Sequence, residues 1–446
     1  MLRPSAAALL LLLMLLPARA TSGVREEIER LPNDVRPTFQ SIHLELDPAR
    51  KDFSGSVRID LSVEGEQKAL RFHAQSMNLT RAQLIGSSGA AVLRMEEGRD
   101  GLVRAVREDG GAVPPGSYTL LIDFTNDFDE RATSLYRLKV DGDWYAFSQF
   151  QAVDARAAFP CFDEPGFKFP YQVTVASPAN LAIVTNTPIE SEWRDGDLRT
   201  VRFARTKPLP SYLLAFAVGP LEFTPVPGTS IPTRIVTARG KKHLTAAAVQ
   251  TTPPLLAALE TYFDRRYPYE KLDLIAVPEY TFGAMENPGA ITYTDQALLF
   301  DAKSMSIAQR RTLVRFTAHE LAHMWFGDLV TMAWWDDLWL NESFAEWIGN
   351  KIVAQVYPEL DTDVSRLGAM QAAYAADASL TARPIRQEVT SAGNLLQMVD
   401  AGVPERSSRQ PARRNDPPLG LGEARCDAQG PCRSHLSSRW STSLRL

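Results

Sequence analysis

Between about Ser41 and Gly219 the apolar residues fall on every second position. "SIHLEL" sets Ile42, Leu44 and Leu46 on one face, "VRIDLSV" sets Val57, Ile59, Leu61 and Val63, and "YTLLIDF" sets Tyr118, Leu120, Ile122 and Phe124. A period of two buries one face of a strand and leaves the other to water. Turn-rich pieces such as "EDGGAVPPGS" separate the runs, so residues 21–225 are predicted to form an antiparallel β-sandwich domain.

After about Pro225 the pattern becomes mixed, and 226–401 reads as a second domain. "TPPLLAALETYFDRR" opens on Pro253 and Pro254, which a first helical turn tolerates, and carries Leu255, Leu256, Leu259, Tyr262 and Phe263 at helical spacing. A short strand, "LDLIAV", follows. Two helices are then expected, over 306–326 and about 337–356, with Gly327 just past the first and Pro358 stopping the second.

The two ends read differently. Residues 1–20 carry Arg3, an apolar run from Ala6 to Leu16, Pro17, and small residues at Ala18 and Ala20, the layout of a cleaved secretory signal. The run is shorter than the roughly 20 apolar residues a membrane-crossing helix needs. The expectation is an exported protein, periplasmic or extracellular, with no stable membrane insertion after cleavage. Residues 402–446 contain eight arginines, no lysine and five prolines, with no Phe, Tyr, Ile or Met. Such text cannot bury enough apolar surface to offset the entropy of ordering, and predicts a disordered tail.

Composition adds limits. Hydrophobic content of 45% and charged content of 23% are ordinary for a globular protein, and a net charge of −5 supplies no basic field for nucleic acid. Export permits a disulfide between Cys426 and Cys432, but spacing alone does not establish one.

The chemistry concentrates in "TAHELAHMWFGD", residues 317–328. His319 and His323 stand four apart on a predicted helix, so both imidazoles project from one face and can hold one zinc ion. Glu320, beside the first, is placed to act as general base on a water. A third ligand is available in "WLNESFAEW", where Glu342 follows His323 after eighteen intervening residues. Two antiparallel helices joined by "FGDLV" would bring that carboxylate back to the histidine face, with Glu346 one turn on and on the same side.

The run from His319 to Glu346 resembles the zinc site of the M1 aminopeptidases, among the gluzincins. Two further stretches agree: "FGAMENPGAITY", residues 282–293, with its GAMEN exopeptidase signature, and "QFQAVDARAAFPCFDEPGFKFPY", residues 149–171. The resemblance implies an α+β multidomain protein, with an N-terminal antiparallel β-sandwich followed by a thermolysin-like mixed α/β zinc-peptidase domain, incomplete at its C-terminus. It implies one zinc ion on His319, His323 and Glu342, Glu320 as general base, and peptide substrates with a free N-terminus. It gives Glu286 as the anion that receives the α-ammonium group. Gly283, Ala284 and Met285 form the backbone segment along which the peptide lies, and Gln151 is a second, uncharged amine ligand. Gln149 is a weaker candidate, and Phe282 sits where the pocket for the first side chain is lined.

One part of the pattern is missing. The family carries a tyrosine downstream of the third ligand that stabilises the oxyanion, yet after Glu342 this chain has only Tyr357 and Tyr374, neither in matching text. "ARPIRQEV" and "NLLQMVDA" still look like the family through Ala401, where the resemblance stops. A shifted reading frame, a natural tail and a truncated isoform all produce such a break. Removing one oxyanion donor costs about 10²–10³ in rate, so an aminopeptidase with weak or no turnover stands beside an inactive zinc- and peptide-binding fragment.

Overall fold

The computed structural model describes residues 28–360 and 362–379, then 382, 384–390, 395 and 444–445. The proposed signal, 1–20, lies outside them, as does the proposed tail apart from Leu444–Arg445, which pairs antiparallel with Thr331–Met332 in text expected to carry no regular structure. Among the described residues no helix is long and apolar enough to cross a membrane.

The alternating runs form strands in a ten-stranded sheet. Ile42 in Val35–Glu45 stands opposite Val57 in Asp52–Val63, which stands opposite Ile122 in Gly116–Asp127. All three side chains are buried, so the period of two becomes a cross-strand apolar rung. Tyr118, expected on the same inner face, is only half-buried, and its hydroxyl donates to the Pro114 carbonyl. A four-stranded sheet containing Ser134–Val140 and Asp143–Gln149 shares one apolar core with the large sheet. One pairing departs from the antiparallel expectation: Tyr171–Pro178 runs parallel to Val35–Glu45. These two strands are separated by most of the sandwich sequence, so no tight turn fixes their relative direction.

A five-stranded mixed sheet begins with Leu221–Pro225, which sequence placed at the end of the first domain. It belongs here because it pairs antiparallel with Thr233–Ala238, the next strand along the chain. Helix α1 (Ala246–Phe263) connects Thr233–Ala238 to the parallel strand Leu272–Val277. The helix starts two turns before Pro253, so both prolines lie inside it rather than at its first turn. Pro254 is exposed and Pro253 half-buried, so part of the backbone disrupted by the prolines is open to water.

A single helical turn, α2 (Asp295–Leu298), precedes α3 (Ile307–His323) and α4 (Leu338–Val356). Serine starts α3: Ser306 Oγ accepts from the Gln309 amide at 3.2 Å, and Gln309 Oε1 accepts from the Ser306 amide at 2.8 Å. Helices α3 and α4 pack against α1 in a second apolar core with Leu313, Val314, Leu321, Ile348 and Ile352. Met285 and Leu338 belong instead to the sandwich core, so the two cores meet at the start of α4. Lys168 links the two sides, with Nζ donating to the Asp328 and Leu329 carbonyls and to Thr331 Oγ1 at 2.7–3.0 Å. Burial lowers that lysine to about 8.

Candidate metal and peptide site

A cavity of about 310 Å³ opens where the two cores meet. The sandwich contributes Gln149 and Gln151, the edge of the mixed sheet contributes Phe282 to Ala284 and Glu286, α3 contributes Arg315, Phe316, His319, Glu320 and His323, and α4 contributes Glu342 and Glu346. Nearly every residue singled out from sequence therefore reaches one place. Met285 is the exception. It lies between Ala284 and Glu286 on a strand, so its side chain points the opposite way, into the core, where its sulfur is 3.7 Å from Gln149 Nε2.

The expected ligand atoms converge. His319 Nε2 and His323 Nε2 are 3.0 Å apart, and Glu342 Oε2 lies 3.4 Å from the first and 3.7 Å from the second. Metal–ligand bonds of 2.0–2.2 Å in a tetrahedron put donor atoms roughly 3.4 Å apart. Two imidazoles and one carboxylate at this spacing fit a zinc ion and leave one coordination position for water or substrate.

Backbone and side chains behind the histidines orient them. His323 Nδ1 lies 3.0 Å from the Phe326 carbonyl, which can only accept, so Nδ1 carries the proton and Nε2 keeps its lone pair for the cavity. The chain therefore leaves the helix after His323, three residues earlier than the sequence suggested, to turn that carbonyl back. Gly327 follows with φ +130°, and a Cβ there would stand 2.9 Å from His323 Nδ1. Behind the other ring the Glu346 carboxylate stands in ion-pair range, with Oε2 3.3 Å from His319 Nδ1. Its second oxygen accepts from Asn350 Nδ2 at 2.8 Å and Arg315 Nη2 at 3.1 Å.

Crowding sets the electrostatics. Burial opposes charge on His319, but Glu342 and Glu346 beside it prevail and raise its pKa well above the usual imidazole range. Burial also opposes charge on Glu342, yet the two histidines hold it far below the usual carboxylate range. Glu320 is pushed the other way, to about 7, chiefly by burial, with Glu286 and Glu342 adding to the effect against the two imidazoles. A carboxyl poised there can exchange protons near neutral pH.

Glu286 is 3% exposed, and its Oε1 has no hydrogen-bond partner. Burial and the Glu342 charge raise its pKa, against the opposing pull of His323. A carboxylate oxygen so placed is an acceptor awaiting a cation. Gln151 is also buried, with Nε2 unpartnered, and its peptide bond to Ala152 is cis. Ala284–Met285 forms the edge strand of the mixed sheet, pairing with Tyr293 and Thr292 on one side only, so its other edge can take an extended peptide.

Residues 36–213 match the Peptidase M1 N-terminal domain and residues 247–409 match the Peptidase family M1 domain. The chain belongs to peptidase family M1. The second match ends past Ala401, where the resemblance was read to stop. Among relatives, Aminopeptidase M1-C of Oryza sativa subsp. japonica is 32% identical over 393 residues, 86% of this chain and 44% of that one. Puromycin-sensitive aminopeptidase of Caenorhabditis elegans is 32% identical over 385 residues, 84% and 41% of the two chains. Aminopeptidase 2 of Candida albicans is 30% identical over 389 residues, 86% and 42%. This M1 chain spans less than half the length of the curated relatives it matches.

Sequence reasoning overlooked three features. Arg315 and Phe316 line the cavity one turn before His319, a placement that the i, i+4 spacing on α3 already contained. Tyr280 bonds to Gln149 Oε1 from the core, and nothing in its local text marks it. Asp328 is fully buried with both side-chain oxygens unpartnered.

Proposed function

We propose that this chain carries the site of a zinc-dependent aminopeptidase that hydrolyses the first peptide bond of peptides with a free N-terminus. The observation that carries the reading is the convergence of His319 Nε2, His323 Nε2 and Glu342 Oε2 within 3.0–3.7 Å, in a cavity that Glu320 and the unpartnered Glu286 also line. Zinc on those three atoms supplies polarisation of the scissile carbonyl and acidification of water. Glu320 takes a proton from the attacking water and returns it to the leaving amine. Glu286 receives the α-ammonium group and, by closing the cavity at that end, keeps longer chains from sliding through. Gln151 offers its side-chain carbonyl to the same group, and the free edge of Ala284 aligns the peptide backbone.

A second reading has its own observation: among the described residues no tyrosine lines the cavity, so no phenol stands ready for the oxyanion. In that reading the chain binds zinc and peptide N-termini without turnover. Metal analysis with hydrolysis of alanyl-p-nitroanilide and its N-acetyl derivative separates the two. Stoichiometric zinc with chelator-sensitive cleavage of the free amine alone supports the enzyme, and zinc with no cleavage at high protein concentration supports the binding protein. Cleavage of the acetylated compound at equal rate would sink both. The proposal extends to place: export by the 1–20 signal, tested by sequencing the N-terminus of the secreted product.

A further inference from the structure

We infer that Arg315 forms a carboxylate-recognition subsite on the leaving-group side of the cavity, so that peptides carrying a carboxylate about two residues from the N-terminus are preferred. The inference rests on the aminopeptidase reading, because Glu286 must mark the amine end of the substrate.

Two rails fix the direction. On one, the chain runs back from Glu286 through Ala284 to Gly283, three residues or about 10 Å if extended. On the other, α3 runs back from His323 and Glu320 to Phe316 and Arg315, about 6–12 Å along the axis. The rails are tied at both ends. Glu286, Glu320 and His323 place ligand atoms within 4.8 Å of one another. At the far end, a Cβ on Gly283 would stand 3.0 Å from the Phe316 ring. A peptide anchored by its amine at Glu286 therefore passes the zinc ligands and reaches Arg315 after about two residues, roughly 7 Å.

The charges give that position its meaning. Four glutamates line the cavity, and Arg315 is the one arginine or lysine among the described residues that does so. An acidic substrate would be repelled without it. Among the described residues its guanidinium makes one hydrogen bond, from Nη2 to Glu346, and its side chain is 48% exposed. The remaining N–H groups can take a second carboxylate in the fork geometry that guanidinium suits. That carboxylate has two sources: an aspartate or glutamate side chain at the second residue, or the C-terminus of a dipeptide.

Calorimetric binding to the zinc-loaded full chain at low salt distinguishes them. Alanyl-aspartyl amide against alanyl-asparaginyl amide reads the side chain, and alanyl-alanine against alanyl-alanine amide reads the terminus. At least one pair should show about a two- to fivefold preference for the carboxylate, as a half-exposed ion pair gives, shrinking in 0.5 M salt. Arg315→Gln should bring both ratios to about one and Arg315→Lys should keep part of them. A purely structural role through Glu346 would weaken all four peptides together and leave the ratios alone. Wild-type ratios near one, or ratios that survive Arg315→Gln, overturn the inference while the aminopeptidase reading stands. Equal binding of alanyl-alanine amide and its N-acetyl derivative overturns that reading, and the inference with it.

Discussion

Gly349 sets the distance between the two helices that carry the metal ligands. It lies seven residues after Glu342 on the face of α4 that meets α3, and a Cβ there would stand 3.1 Å from the His319 amide nitrogen and 3.2 Å from its Cα. Both contacts are with backbone, which cannot rotate away, so Gly349→Ala must push the helices apart by a few tenths of an ångström. The Glu342 Oε2 to His319 Nε2 distance of 3.4 Å would grow by a similar amount. A metal site tolerates about 0.2 Å in its bonds, and disturbances of this kind cost about 10–100-fold in affinity. We expect Gly349→Ala to weaken zinc binding about tenfold, some 1.4 kcal/mol. Metal-free stability should fall by about 0–2 kcal/mol, because overpacking costs about 1–3 kcal/mol and replacing a helical glycine with alanine returns about 1. Gly368 in α5 (Thr362–Asp377) is the control, since a Cβ there meets nothing within 4 Å. Gly368→Ala should stabilise the protein by about 0.5–1 kcal/mol and leave zinc binding untouched. Chelator competition and denaturant unfolding measure both quantities. If Gly349→Ala binds zinc within threefold of wild type and gains stability as Gly368→Ala does, the spacing argument is wrong.

Three other outcomes are expected. Glu320→Gln should retain stoichiometric zinc while losing at least 10²-fold in hydrolysis of alanyl-p-nitroanilide; a variant that loses zinc instead would make Glu320 a ligand. Glu286→Gln should bring the affinities for alanyl-alanine amide and its N-acetyl derivative to within about threefold of each other, read by calorimetry, and a preserved preference would move amine recognition to Gln151. Glu164, which accepts from the Leu31 amide at 2.6 Å, is raised by burial to about 7 from an ordinary 4.5. Its folded form holds the proton more tightly, so its contribution is fully present below pH 4.5 and is lost as pH rises through 7. Relative to Glu164→Gln, wild type should therefore lose up to about 3 kcal/mol between pH 4.5 and 8, and parallel stability curves for the two proteins would refute it.

Local text determined much of this protein. The period of two in "VRIDLSV" fixes which side chains of that strand are buried, because successive residues of a strand point to opposite faces whatever the partner. The spacing of four between His319 and His323 fixes their shared face in the same way, and Ser306 and Pro358 bound the helices through backbone hydrogen bonding that a few residues control. Motifs also named Glu342, Glu286 and Gln151, although nothing within any one motif says that they meet. What only the tertiary structure decided is distance between segments. The parallel pairing of Tyr171–Pro178 with Val35–Glu45 depends on a partner far along the chain, the transfer of Leu221–Pro225 to the second sheet on its pairing with the strand that follows it, and the early end of α3 on a carbonyl turned back to a histidine. The same holds for the core-facing Met285, for Arg315 at the far end of the cavity and for Gly349 between the helices. Periodicity constrains angles around a single element, and the packing of elements against one another supplies the ångströms on which metal binding and peptide recognition depend.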